Sequence, residues 1–215
     1  MNSATNARSG KSSGENGLSP RRSLKWRVVD IAVASVIGVA SGLIFWGLGA
    51  LPFYNILEAV TPGLSGLING FWIFAGPLAL FIVRKPGAGL YAEILATFVE
   101  MVLGAQWSSI STLIPGIVQG ICAEIVFAVV AYRLWTWWMA TICGAVSSLG
   151  TWVYELFHKF SAIAPGGEYG VVFFITSLIS GAVFAGICMW WVYRALAKTG
   201  VLDKFDSGSA VRYAR

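Results

Sequence analysis

The chain has 215 residues, of which 57% are hydrophobic and only 12% charged, about half the charged share of an ordinary soluble domain. That composition excludes a soluble globular protein and makes the chain an integral membrane protein. The net charge of +5 reports topology and attraction to anionic lipid, not nucleic-acid binding.

Met1 to Ser23 is rich in Ser, Asn, Gly and Arg and almost free of large apolar side chains, so it lacks the surface to offset its ordering entropy. Residues 1–25 are therefore expected to be a disordered basic cytoplasmic tail. Gly10-Lys11-Ser12 imitates the end of a phosphate loop, but Thr5 stands where the pattern needs its first glycine and no strand precedes it. No ATPase activity is expected of this chain. The apolar stretch that begins near Val28 is too long for a signal-peptide core, so no cleaved signal is expected.

Residues 26–198 form the expected membrane domain, with apolar segments at about Val28–Leu51, Leu64–Val83, Ala88–Leu103, Leu113–Arg133, Trp137–Phe160 and Gly170–Ala195. Backbone groups in lipid must be satisfied internally, and no segment alternates as a barrel strand does, so the fold class is all-α: a bundle of six transmembrane helices. In the first, Ala34, Gly38 and Gly42 recur every fourth residue, a ridge that admits another helix closely and is a candidate docking surface for a partner subunit. Gly181–Ala185 and Ala182–Gly186 repeat the spacing in the sixth. The loop Pro52–Gly63 is long and aromatic, with Glu58, and could be a lid; Ala164–Tyr169 could close over the same place.

With both termini cytoplasmic, fourteen of the fifteen Lys and Arg residues fall inside: six in the leader, Arg84 and Lys85, Arg133, and five from Arg194 onward. Only Lys159 falls outside. Trp135, Trp137 and Trp138 are then an aromatic belt at the inner interface, and residues 199–215 a cytoplasmic C-terminal tail. Cys122, Cys143 and Cys188 stand singly, without spacing for zinc or a disulfide framework.

Acids within spans are costly and are functional candidates by default. Counting about 1.5 Å per residue from the helix ends puts Glu93 about 8 Å and Glu100 about 18 Å above the inner face, with Gln119 about 9 Å and Glu124 about 16 Å below the outer one. Glu100 and Glu124 are thus expected at similar depth. Glu155, Trp46, Asn69, Trp72 and Trp107 also fall in the outer half. Carboxylates, amides and indole faces together suit an organic cation, through charge pairing and cation–π contact. Glu93 could instead pair with Lys85 or bond a neighbouring helix. No metal-ligand cluster, and no nucleophile with a base at its depth, points to an enzyme. A proton-coupled secondary carrier of a small organic cation is the alternative, although no inverted repeat or broken helix is evident.

Several stretches together resemble one family: Arg84-Lys85-Pro86-Gly87-Ala88, Glu93 to Gly104 with Glu100, Gly116 to Glu124 with Gln119, Ser180 to Gly186, and Thr199-Gly200-Val201-Leu202. The combination, from Trp26 to Leu202, resembles the YkoE type of substrate-binding S component of energy-coupling factor (ECF) vitamin transporters. The resemblance implies six helices, cytoplasmic termini, a cell-membrane location and an outward-facing pocket for thiamine or its hydroxymethylpyrimidine precursor. It also implies a membrane coupling T subunit and cytoplasmic ATPases as partners. ATP would be used by those partners, and this chain would bind no cofactor.

Overall fold

The computed structural model describes residues 24–104, 110–158 and 166–212, and all regular structure within them is helical. Helix α1 (Val28–Gly49) starts where the Asp30 carboxylate accepts the Arg27 backbone N–H at 2.8 Å and pairs with its guanidinium at 2.9 Å. A short α2 (Phe53–Val60) lies within the loop Pro52–Gly63 that could be a lid. The second apolar segment is broken into a 3-10 stretch, Leu64–Trp72, and α3 (Ala75–Val83). Then come α4 (Ala88–Val102), α5 (Leu113–Val129) and α6 (Trp137–His158). The last apolar segment runs through α7 (Glu168–Ser180), a π stretch Gly181–Cys188 and α8 (Met189–Lys198), and a terminal α9 (Asp206–Arg212) follows. Three helical stretches are long and apolar enough to cross a bilayer: Val28–Gly49, Leu64–Val83 and Glu168–Lys198.

Small residues set the packing. A Cβ built on Gly38 would lie 2.9 Å from Leu95 Cβ, and one on Gly42 only 2.5 Å from the Ala96 carbonyl oxygen. Ala34 is fully buried on the same face. The ridge of Ala34, Gly38 and Gly42 is therefore spent inside the chain, as the seat of α4 on α1, and is not a free surface for a partner. The glycines of the π stretch meet the same fate: Gly186 would bring a Cβ to 2.8 Å from the Ala140 carbonyl of α6. Gly70 lets the 3-10 stretch press on α7, where the Ser180 hydroxyl accepts the Gly70 N–H at 2.9 Å and donates to the Leu67 carbonyl at 2.6 Å.

The basic turns converge at one end. Trp26 donates to the Pro86 carbonyl at 2.8 Å, tying the start of α1 to the corner between α3 and α4. Arg84 ends α3 in the left-handed conformation (φ 55°) and is buried, donating to Tyr193 Oη at 2.9 Å while lying over the rings of Trp135 and Tyr193. Phe81, Phe127, Trp135, Trp190 and Tyr193 pack around it, with Phe127 and Trp135 stacked at 4.5 Å. Trp135 thus belongs to this core, whereas Trp137 and Trp138 remain exposed, as an interfacial belt requires. The segment after α8 packs on this cluster: Leu202, Phe205 and Ser207 are buried, and Ser207 Oγ donates to the Ile82 carbonyl at 2.7 Å.

Candidate functional site

At the opposite end from the Arg84 cluster, the 3-10 stretch, α4, α5, α6 and α7 enclose a cavity of about 130 Å³. Its lining includes Asn69, Trp72, Glu100, Gln119 and Glu155, five of the residues the sequence singles out. Each is delivered by a local constraint. Trp72 ends the 3-10 stretch and donates its indole N–H to Glu100 Oε1 at 3.2 Å, fixing the carboxylate with its ring beside it. Asn69, one turn earlier, donates to Ser177 Oγ at 3.3 Å. Gln119 donates from Nε2 to Thr151 Oγ1 at 3.0 Å, and Thr151 donates in turn to the Ser147 carbonyl at 3.2 Å. Glu155 follows Thr151 by one helical turn, so both face the cavity.

These polar groups are almost wholly shielded: Glu100 is 2%, Gln119 3% and Glu155 8% exposed. Two carboxylates in so dry a setting interact far more strongly with a cation than they would in water. The Arg27–Asp30 ion pair lies far from them, at the other end of α1. The roof is built by the loop expected to act as a lid. Glu58 accepts the Gly63 N–H at 3.1 Å, bonds the Ser65 hydroxyl and takes the Tyr169 hydroxyl at 3.3 Å. Helix α2 is thereby tied to the 3-10 stretch and to the start of α7, and its Tyr54 lines the cavity.

Other sequence candidates lie elsewhere. Glu124 is absent from the lining; its Oε1 accepts the Gly89 N–H at 2.7 Å and its Oε2 the Tyr132 hydroxyl at 2.6 Å, at the basic end of α4. Contacts show why its expected depth fails. Gly116 faces Thr97, Gly120 faces Leu90 and Glu93, and Glu124 faces Gly89, an antiparallel register that sets Glu100 opposite the very start of α5. Ser111, Thr112 and Pro115 accordingly line the cavity. Helix α5 begins at the level of the cavity, so every residue on it sits further toward the Arg84 end than a count from its start suggests. Trp46 is also outside the lining and 43% exposed, because Phe45, one residue and about 100° away, takes the inward face. Trp107 and Lys159 lie outside the described residues.

Glu93 proves to be a structural bond: fully buried, it accepts the Gly76 N–H at 2.7 Å across to α3. Lining residues that the sequence reading did not select include Thr97, Thr151 and Tyr154. Thr97 and Thr151 sit three and four residues before Glu100 and Glu155, so helical periodicity from the acids could have found them.

Comparison with known proteins agrees with this geometry. Residues 29–150 match the family described as the permease component of an ABC-type cobalt transport system. A crystal structure of an S-component of an ECF transporter superposes with a TM-score of 0.81 and 33% identity, covering 89% of this chain and 95% of that one. The fold is thus that of an S component, a multi-pass transport protein of the cell membrane and not an enzyme. The HMP/thiamine permease protein YkoE of Bacillus subtilis (strain 168) is 33% identical over 192 residues, 88% of this chain and 94% of its own. The chain belongs to the YkoE family of S components.

Proposed function

We propose that this chain captures thiamine or its hydroxymethylpyrimidine precursor for an ATP-driven ECF importer. The observation that carries this reading is the shielded cavity lined by Glu100 and Glu155 together with the Trp72 indole and the amides of Asn69 and Gln119. Thiamine joins a cationic thiazolium to a flat aminopyrimidine, so carboxylates can pair its charge while aromatic faces and amides receive its rings. The similarity to a protein named as an HMP/thiamine permease supports the same substrate class.

In this reading six helical segments cross the bilayer, the Arg84 end faces the cytoplasm with both termini, and the cavity opens outward. The clustering of Lys and Arg at the Arg84 end supports that orientation. A membrane T subunit and cytoplasmic ATPases, which hydrolyse the ATP, would be the partners. Since the Ala34–Gly42 ridge is buried against α4, docking would use another face of the bundle.

Titration calorimetry on the purified protein, without nucleotide, tests the reading. Saturable binding of thiamine or hydroxymethylpyrimidine at micromolar concentration is expected. Absence of heat for both, with the protein folded, would remove the proposal.

A further inference from the structure

The polarity of one amide in the cavity is fixed by its neighbours. The Thr151 hydroxyl has a single proton, and it is directed to the Ser147 carbonyl one turn back in α6, at 3.2 Å. Toward Gln119 that oxygen can only accept, and it does so from Nε2 at 3.0 Å. The donor end of the amide is therefore held against α6. The acceptor end, Gln119 Oε1, has no hydrogen-bond partner in the protein, although the residue is 3% exposed and lines the cavity. A buried acceptor left unmatched costs about 1–3 kcal/mol, so the position calls for a donor from outside the chain.

Three donors in the lining are already engaged. The Trp72 indole N–H goes to Glu100, the Thr97 hydroxyl to the Glu93 carbonyl, and the Tyr154 hydroxyl to the Ser111 carbonyl. Glu100 and Glu155, as carboxylates, add further acceptors to the same lining.

We infer that Gln119 Oε1 is the acceptor that selects an amine-bearing ring, receiving an N–H from the exocyclic amino group of an aminopyrimidine, and that Thr151 is the positioning residue that holds the amide in that sense. This rests on the reading of the cavity as a thiamine or pyrimidine site and adds its specificity rule. An analogue carrying oxygen in place of the ring amino group would set acceptor against acceptor. Phosphate esters would meet the carboxylates of Glu100 and Glu155 in the lining.

The test is calorimetric binding of thiamine and of its analogue with oxygen replacing the ring amino group, to wild-type, Thr151→Val, Thr151→Ser and Gln119→Met proteins. Wild type should prefer thiamine by about thirtyfold or more, as sites built to bond a particular donor do. In Thr151→Val the amide is free to turn and offer its NH₂, so the preference should shrink to about threefold or less, with the analogue gaining relative to thiamine. Thr151→Ser keeps the hydroxyl and should keep the preference. Gln119→Met, which retains volume without the acceptor, should lose it and stands in should the valine variant fail to fold. Equal binding of the two compounds by wild type, or an undiminished preference in Thr151→Val or in Gln119→Met, would overturn the inference and leave the thiamine reading standing. Binding of neither compound by wild type would overturn both.

Discussion

At the Arg84 end of the bundle a charged side chain is buried and answered in full: a tyrosine hydroxyl accepts its proton, two aromatic faces lie against it, and the segment after α8 closes over the cluster. At the cavity end two buried carboxylates line open space, and the amide acceptor Gln119 Oε1 has no hydrogen-bond partner in the protein. Both ends are polar and both are shielded. What separates them is completeness, since a satisfied network specifies and rigidifies a fold whereas a cavity holding an unmatched buried acceptor is complementary to something the chain does not contain. Glu124 and Glu100 show the difference on neighbouring helices. Glu124 accepts from the Gly89 and Leu90 N–H groups and from the Tyr132 hydroxyl, while Glu100 accepts from Trp72 and looks onto open space.

The contrast can be broken by substitution. Glu100→Gln should give the largest effect, weakening thiamine binding by about thirtyfold or more, or about 2 kcal/mol, because one member of a desolvated charge pair is removed; calorimetry reads it, and a loss no greater than that from Glu124→Gln would erase the distinction. Next comes Gly42→Leu. With 2.5 Å between a Cβ there and the Ala96 carbonyl, overpacking should lower stability by about 1–3 kcal/mol, seen as a lower unfolding temperature in detergent, and co-purifying subunits should fall only in step with folded protein. A selective loss of partners at unchanged stability would show that α1 docks them after all.

Glu124→Ala should act on the fold and spare the ligand. It strips partners from the Gly89 N–H and the Tyr132 hydroxyl, a cost of about 1–3 kcal/mol in stability, while thiamine affinity measured on the folded fraction stays within about threefold. A larger drop in affinity would place Glu124 back in the site. Trp46→Ala sharpens the comparison from the other side: a residue on the outer surface of α1 should change affinity by no more than about twofold, and fluorescence quenching by ligand should persist without it.

Much of this was legible in the residues. The acids and amides of the cavity stood out because lipid-embedded carboxylates are rare, and Glu100, Gln119 and Glu155 converge as that argument expects. The vertical offset of α5 was not legible, because hydropathy marks where an apolar run begins and says nothing about how far a helix slides along its neighbour. That slide carried Glu124 to the far end. The glycine ridge of α1 told truly of a close helix contact, but spacing cannot name the helix that makes it, and here it is α4. Trp46 illustrates a further limit: two adjacent aromatics, Phe45 and Trp46, point about 100° apart on a helix, and only packing decides which turns inward.

The π stretch in the last long segment has a consequence for angular phase. Ser177 in α7, which supports Asn69 at the cavity, and Tyr193 in α8, which supports Arg84, are both buried. On an uninterrupted α-helix at about 100° per residue, the sixteen positions between them would leave the two side chains about 160° apart, facing opposite ways. The wider turns of Gly181–Cys188 advance by roughly 80° per residue, and the accumulated lag of about 160° brings both onto one line. The stretch is thus a rotational gear: it lets a single helix present its inward face to the cavity at one end and to the arginine cluster at the other.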